Sequence, residues 1–414
     1  MDFKRVAFVL FVVFLGIVVA QDAYVRRLRN SKVEPRMYTV VLSLDGFRSD
    51  YQSIANTPTL DSIQQNGVKS VGLQPVFPSL TFANHYSIAT GLYAENHGIV
   101  ANNFKDPTIN QIYSSSNPQT ISDNRFYGGE PIWVTAESQR IKSAVNMWVG
   151  CDAQIKGYRP SWWKSYSASE PYTARIDSVI KRLSADYNNR PHLAMCYIEE
   201  TDKVGHKYGP NSPEMETAIE SVDSLVGYFR QQLSLLSFSD SINFIVLSDH
   251  GMAPVSDEHS VDIEPFIKSE WVDTVICSPA IALVYCKKNC SDLLLQSLQN
   301  VKGISACKRA DMNPDYHYSS SNRIGDVVVI ADSSICLKYK PNRPLPCGMH
   351  GYDNTNQLMN GIFYAEGPNF KKRFLAPQLY ITDIYELMCH LLEIAPAHND
   401  GKFERVECVL SGNN

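Results

Sequence analysis

The sequence predicts an α/β fold: a mostly parallel central sheet with helices on both faces. Three observations lead there. Short apolar runs of strand length recur along the chain, and helical candidates lie between them, the alternation that a covered parallel sheet produces. The runs are apolar nearly throughout, as strands buried on both faces are. Three of the runs stop at an acidic residue, at the strand end where open α/β sheets place their ligands.

In chain order, the strand candidates are 38–44, 69–76, 192–198, 242–247, 326–330 and 361–364, and the helical candidates are 59–66, 82–89, 173–187, 213–236 and 382–392. The first strand contains VVLSL and stops at Asp45-Gly46. The helix at 82–89 is rich in small residues and follows the proline-punctuated run PVFPSL, which leads into Thr81. The strand LAMCYIEE stops at Thr201-Asp202, and NFIVLS stops at Asp249-His250-Gly251. A single Asp at such an edge is ordinarily a helix cap or turn residue. Three at equivalent edges, two with a nearby His, point to a site.

Length and charge narrow the function. The chain has 414 residues and a formal net charge of −5, with no long basic run, so no nucleic-acid polymer is expected as a partner. A small anionic ligand stays compatible, because a bound metal supplies local positive charge. Residues 1–20 carry Lys4 and Arg5 before an apolar run ending in small residues, the pattern of a secretory signal peptide cut before Gln21. An uncleaved N-terminal anchor is the alternative, although the run is shorter than the ~20 apolar residues of a bilayer span. No stable membrane span is expected in the mature chain, which is read as secreted or, with the anchor, held on the extracellular face. Ten cysteines in an exported chain predict disulfides. Six of them, from Cys277 to Cys347, mark a small disulfide-braced insert at about 255–347. Asn289-Cys290-Ser291 is a formal glycosylation sequon. Oligomeric state is not legible.

Asp202 and His206 have i,i+4 spacing, which puts carboxylate and imidazole on one face of a helical turn, while Gly205 and Gly209-Pro210 favour a short turn and loop. Asp249 and His250 are neighbours that can aim at one ion only across a sharp turn, which Gly251 permits. His350 sits in the Gly-flanked loop CGMHGYDN and, taken singly, reads as an ordinary loop histidine. Mixed His and carboxylate ligation suits zinc better than magnesium.

The stretches VLSLDGFRSDY, PSLTFANHYSIATGLYAENHGIVAN, YGGEPIW, YIEETDKVGHKYGP, LSDHGM and MHGYDN together resemble the ectonucleotide pyrophosphatase/phosphodiesterase family of the alkaline phosphatase superfamily. They span about 40–354, with weaker similarity beyond, so the resemblance implies an alkaline-phosphatase-like fold and a single catalytic domain at 36–410. It also implies two zinc ions. One would be held by Asp202, His206 and His350. The other would be held by Asp45, Asp249 and His250, with Thr81 on it as the nucleophile. Asn102 matches a family residue that donates to a phosphate oxygen. Thr81 alone would read as a helix cap. A zinc ion beside it would lower the pKa of its hydroxyl, the start of the following helix favours an anion, and its methyl group stiffens χ1. The expected reaction is in-line attack on a phosphodiester or pyrophosphate, a threonyl-nucleotidyl intermediate, and release of a nucleoside 5′-monophosphate.

Superfamily phosphomonoesterases typically use a Ser nucleophile and an Arg clamp on the phosphate; Thr81 with no Arg beside it favours diesters. Phe82 and Tyr166 match aromatic positions that stack a base in nucleotide-cleaving relatives, and base stacking supplies ~1–3 kcal/mol. Small-molecule nucleotides are therefore the expected substrates. The alternatives are a choline-phospholipid phosphodiesterase, with Trp162 and Trp163 as part of a headgroup cage, and a non-catalytic surface binding protein.

Overall fold

The structure, a computed structural model, describes residues 37–256, 258–340 and 344–412; the expected signal peptide lies outside them. The strands that matter here are β1 (Tyr38–Leu44), β2 (Val68–Ser70), β3 (Ser143–Asn146), β4 (Trp162–Lys164), β5 (Leu193–Ile198), β6 (Ile242–Leu247), β7 (Val272–Cys277), β8 (Ile281–Cys286), β9 (Ile304–Lys308), β10 (Val327–Ala331), β11 (Phe363–Glu366) and β12 (Phe374–Ala376). The helices are α1 (Pro58–Asn66), α2 (Thr81–Thr90), α3 (Tyr172–Leu183), α4 (Glu200–Tyr208), α5 (Pro213–Ser234), α6 (Ser291–Leu298) and α7 (Asp383–Leu391).

The central sheet runs β12-β2-β11-β6-β1-β5-β3-β4. Its pairs are parallel except at β11, which lies antiparallel between β6 and β2. β1 is the innermost strand, paired with β5 on one side and β6 on the other. Its side chains alternate between two cores. Val40, Leu42 and Leu44 pack with α1, α3 and α5, whereas Val41 faces the core that contains α2 and α7. Fully burying each such side chain contributes roughly 1.5–3 kcal/mol, and the two-sided burial explains why the run is apolar throughout.

The longest helix shows how local signals place these layers. Ser212 caps α5 by accepting the Met215 N–H, Pro213 occupies the first turn, and Glu214 and Glu216 sit at the positive end of the dipole. Met215, Ile219, Val222, Val226, Phe229 and Leu233 repeat at helical spacing and form its buried stripe.

The second sheet, β7-β8-β10-β9, is antiparallel and lies within the expected insert. Ala282, Val284, Val327 and Val329 face a small core shared with Leu294 and Leu298 of α6. Ile281, Leu283, Val328 and Ile330, on the opposite face, belong to the main core. The run at 326–330 is therefore a strand of this sheet and not of the central one. No disulfide joins any of the cysteines among the described residues, so the expected bridges are not seen.

Other departures have local causes. The predicted strand at 69–76 breaks after Ser70 and resumes as the two-residue strand Leu73–Gln74, with Gly72 at the break. The strands β3 and β4, four and three residues long, are too short to announce themselves. The helix α3 ends at Leu183, with Ser184 in the C-cap, before the polar stretch that follows.

Candidate active site

Backbone register brings the acidic residues together. Leu44 is level with Ile198 across β1 and β5, and Ser43 is level with Leu247 across β1 and β6. Asp45, the start of α4 and Asp249 thus leave the sheet side by side. Asp202 and His206 lie on α4, a regular helix, which corrects the expected turn and loop. Gly205 does not break it because the position is buried against Met252, whose Cε would lie 2.9 Å from a Cβ there. At Gly46, φ is +66° and a Cβ would meet Asp202 at 3.0 Å, so glycine there lets α4 close on the end of β1. His350 follows the short strand Gly348–Met349, which pairs with Ala253–Pro254 and so delivers His350 to His250.

The expected ligands form one contiguous cluster. His250 Nε2 is 3.3 Å from Asp45 Oδ1 and 3.0 Å from Asp249 Oδ2. Asp202 Oδ1 is 3.3 Å from His206 Nε2 and 3.4 Å from His350 Nε2. The His250 and His350 rings stack at 3.6 Å. Two sets of donor atoms each lie within 4.8 Å of one another: Asp202, His250 and His350, and Asp45, His85 and Asp249.

Hydrogen bonds define the imidazole tautomers. Nδ1 of His206, His250 and His350 faces the carbonyl oxygen of Gly348, Gly251 and Ser79 at 2.8, 2.9 and 2.8 Å. A carbonyl only accepts, so each Nδ1 carries a proton, and in the neutral ring Nε2 presents its lone pair to the cluster. At His250 burial is outweighed by the Asp249 and Asp202 charges, which raise the pKa, so a metal would bind there in place of a proton. This is the arrangement of metal-ligating histidines.

The charges favour a cation. The ion-pair partners of Asp45, Asp202 and Asp249 are imidazoles. One oxygen of each, Asp45 Oδ1, Asp202 Oδ1 and Asp249 Oδ2, is buried without a hydrogen bond. Burial, then the Asp249 and Asp202 charges, push the Asp45 carboxyl well above its ordinary range. Burial, then the facing His250 and His206 rings, hold His350 well below its ordinary value and so neutral. Buried carboxylates in excess, unpaired oxygens and bare Nε2 atoms together fit a divalent metal of mixed N/O preference.

Thr81 is the first residue of α2, and Leu80 is the N-cap. The Thr81 hydroxyl makes no capping bond; its Oγ1 lies 3.2 Å from His250 Nε2, inside the cluster. Asn102 Oδ1 accepts the Phe82 N–H at 3.0 Å, which turns its amide nitrogen outward as a donor. Phe82 is half-buried, edge-on to Tyr113. Tyr166 is 48% exposed, donates to Glu199 Oε1 at 3.0 Å, and lies 6.2 Å from the Tyr197 ring. Tyr197 in turn donates to Asp45 Oδ2 at 2.5 Å, which connects the Tyr166 platform to the cluster. Burial, then Glu199, push the Tyr166 phenol up to about 12, keeping it a donor.

Sequence reasoning missed His85, which is buried and lies 3.2 Å from Asp249 Oδ2. Its i,i+4 spacing from Thr81 was the available signal. A groove of about 720 Å³ lined by Thr59, Arg230, Ile242 and Lys372 lies at the other end of the sheet, where β6 begins, away from these donors.

The family profile described as Type I phosphodiesterase / nucleotide pyrophosphatase matches residues 39–353. The chain is 32% identical to human ectonucleotide pyrophosphatase/phosphodiesterase family member 5 over 382 residues, covering 92% of this chain and 79% of that protein. It is 33% identical to murine bis(5′-adenosyl)-triphosphatase enpp4, over 91% of this chain and 81% of that one. It is 34% identical to human family member 1, but spans only 40% of that protein's length. Among solved structures, murine ectonucleotide pyrophosphatase/phosphodiesterase 5, in an inactive threonine-to-alanine form in complex with AMP, superposes with a TM-score of 0.87 at 33% identity, covering 91% of this chain and all of that one.

Proposed function

The chain belongs to the type I phosphodiesterase/nucleotide pyrophosphatase family, and we propose that it is an extracellular two-zinc hydrolase cleaving phosphodiester and pyrophosphate bonds of nucleotides and their derivatives. The observation that carries this is the Thr81 hydroxyl at the head of α2, aimed into a buried cluster of carboxylates and bare imidazole nitrogens. Zinc held by Asp45, Asp249, His250 and Thr81, and by Asp202, His206 and His350, would lower the pKa of a hydroxyl and of a water and offset phosphoryl charge.

The chain's own residues do the rest. Thr81 Oγ1 attacks phosphorus in line with the leaving group, forming a threonyl-nucleotidyl ester, and water then releases the nucleoside 5′-monophosphate. The Asn102 amide donates to a non-bridging oxygen whose charge grows in the transition state. The start of α2 adds the positive end of its dipole. Tyr166 and Phe82 offer aromatic faces to a base. A solved relative that holds AMP and is inactive as a threonine-to-alanine form supports both the nucleotide and the nucleophile.

A choline cage built from both tryptophans is disfavoured. Trp162 and Trp163 are successive residues of β4 and point to opposite faces. Each is already covered by a protein cation, Arg182 and Arg159, at 4.9 Å.

Asn289, exposed in a turn at φ +65°, suits glycan attachment, and export fits both this and the N-terminal segment. No helix among the described residues is long and apolar enough to cross a membrane.

The test compares native protein with Thr81→Ala on p-nitrophenyl thymidine 5′-monophosphate and on p-nitrophenyl phosphorylcholine. Native protein should favour the nucleotide ester, and Thr81→Ala should lose turnover by about 10⁴-fold or more while still binding zinc. Preference for phosphorylcholine would establish the lipid alternative, and turnover by Thr81→Ala near the native rate would refute the nucleophile.

A further inference from the structure

His85 stands among the donor atoms around Asp249, yet its hydrogen bonds give it a different part from the other histidines. Its Nδ1 lies 3.0 Å from the Thr81 carbonyl oxygen and 3.2 Å from Asp249 Oδ2. Its Nε2 lies 2.8 Å from Ser43 Oγ, on β1. The Thr81 carbonyl only accepts, so Nδ1 carries the proton, and Nε2 is left to accept from the Ser43 hydroxyl. The three cluster histidines show the cluster a bare Nε2; His85 shows it an N–H. A protonated ring nitrogen cannot ligate a metal, but it can hold a carboxylate that does.

We propose that His85 is a positioning residue: its Nδ1–H donates to the Thr81 carbonyl and presents its positive edge to Asp249 Oδ2 at 3.2 Å, an electrostatic contact that holds the nucleophile's helix against a metal-binding carboxylate. Both groups it joins are otherwise borne on separate elements, α2 and the loop after β6. Asp249 Oδ1 is held independently by the Gly46 N–H at 3.2 Å, so the rotation of the carboxylate about that anchor is set by what faces Oδ2, His85 on the Thr81 side and His250 at 3.0 Å. The ring has no slack. His85 is fully buried, its ring is edge-on to Trp148 and Tyr197, and its own carbonyl accepts the Trp148 Nε1–H at 2.9 Å. Ser43 is thereby part of the device, because its hydroxyl fixes which ring nitrogen is protonated.

The inference rests on the two-metal reading, but its test does not need turnover. Zinc affinity of the native chain, His85→Leu, His85→Asn and Ser43→Ala is measured by competition with a chromogenic chelator, alongside hydrolysis of the nucleotide ester. Outer-shell partners of metal ligands typically matter by about 10–100-fold. His85→Leu, which keeps volume but has no donor, should weaken one zinc equivalent by a factor in that range and lower turnover in step. His85→Asn, whose amide nitrogen can stand where Nδ1 stood, should recover most of both. Ser43→Ala should give a smaller loss of the same kind and covers the case that His85→Leu does not fold. Native zinc affinity in both His85→Leu and Ser43→Ala would overturn the proposal. Equal loss of a full equivalent in His85→Leu and His85→Asn would overturn it in favour of direct ligation by His85. If native protein binds two zinc ions with the expected variant order but hydrolyses no nucleotide ester, the functional reading fails and the positioning role stands.

Discussion

Two buried charged clusters lie within one strand's width of each other, and only one of them is electrically complete. Glu199 meets Arg175 through two hydrogen bonds of 2.5 and 3.0 Å, with Lys203 2.6 Å away. Both side chains of the Arg175–Glu199 pair are almost wholly buried. Burial works against the Glu199 charge, but the Arg175 hydrogen bonds and charge outweigh it and leave the carboxyl below its ordinary value. Asp45 is as deeply buried and has no such partner; burial and two neighbouring carboxylates push it the other way. The first cluster carries its own counter-charge and holds Tyr166 in place. The second sets three carboxylates against imidazoles alone. The shifts follow the neighbours: burial is outweighed by Arg175 at Glu199, is reinforced by the clustered carboxylates at Asp45, and is outweighed at Asp249 by the facing His250 and His85 rings, which hold it low.

The largest effect that can break this contrast is metal removal. Dialysis against a strong chelator should abolish hydrolysis of the nucleotide ester, and added zinc should restore it; full activity after exhaustive chelation would end the distinction. Zinc present at 100–1,000 times its dissociation constant also stabilises the fold by about 2.7–4.1 kcal/mol, so the melting temperature should fall with the metal.

Next in size is Arg175→Met. Removing Arg175 leaves Glu199 with only the exposed Lys203 as counter-charge and costs up to about 3–5 kcal/mol, read as a lower midpoint in urea. The double variant Arg175→Met with Glu199→Leu should recover a large part of it. An unchanged midpoint in the single variant would mean that Glu199 is rescued by Lys203 and solvent.

Asp45→Asn sharpens the contrast by changing sign. In metal-free protein it removes a repelling charge and should raise stability by about 1 kcal/mol, on the order of 2 °C in melting temperature. In zinc-loaded protein it should lower both stability and turnover. Destabilisation in both states would show that Asp45 is paired without a metal.

The smallest effect concerns the platform. Tyr166→Phe keeps the ring and removes one hydrogen bond to a charged group, about 1.5–3 kcal/mol at most. It should raise KM for nucleotide esters a few-fold with little change in kcat, and should leave hydrolysis of methyl p-nitrophenyl phosphate unchanged. An equal loss on both esters would remove Tyr166 from base binding.

Much of this was legible in the sequence because the relevant physics is local. The strands β1 and β6 read directly, since a strand buried on both faces must be apolar along its whole length. The acidic residues that follow them stand out against those runs. What failed to read depends on contacts distant in sequence. Gly205 suggests a turn until Met252 is seen to occupy the space beside it. The run at 326–330 is strand-like on any criterion, but nothing local assigns it to the second sheet. His85 sits in a motif already noticed for Thr81, and its part depends on Ser43 and Asp249, which lie 42 and 164 positions away.

Metal content tests the central claim most directly. Purified protein, dialysed to remove loose ions, is analysed by inductively coupled plasma mass spectrometry, native and with Asp249→Asn. Two equivalents of zinc per native chain, falling to one or fewer in the variant, is the predicted result. A native chain that folds without any bound divalent metal would contradict it, because the buried carboxylates of Asp45 and Asp249 and the half-buried one of Asp202 would then share their site without a metal cation.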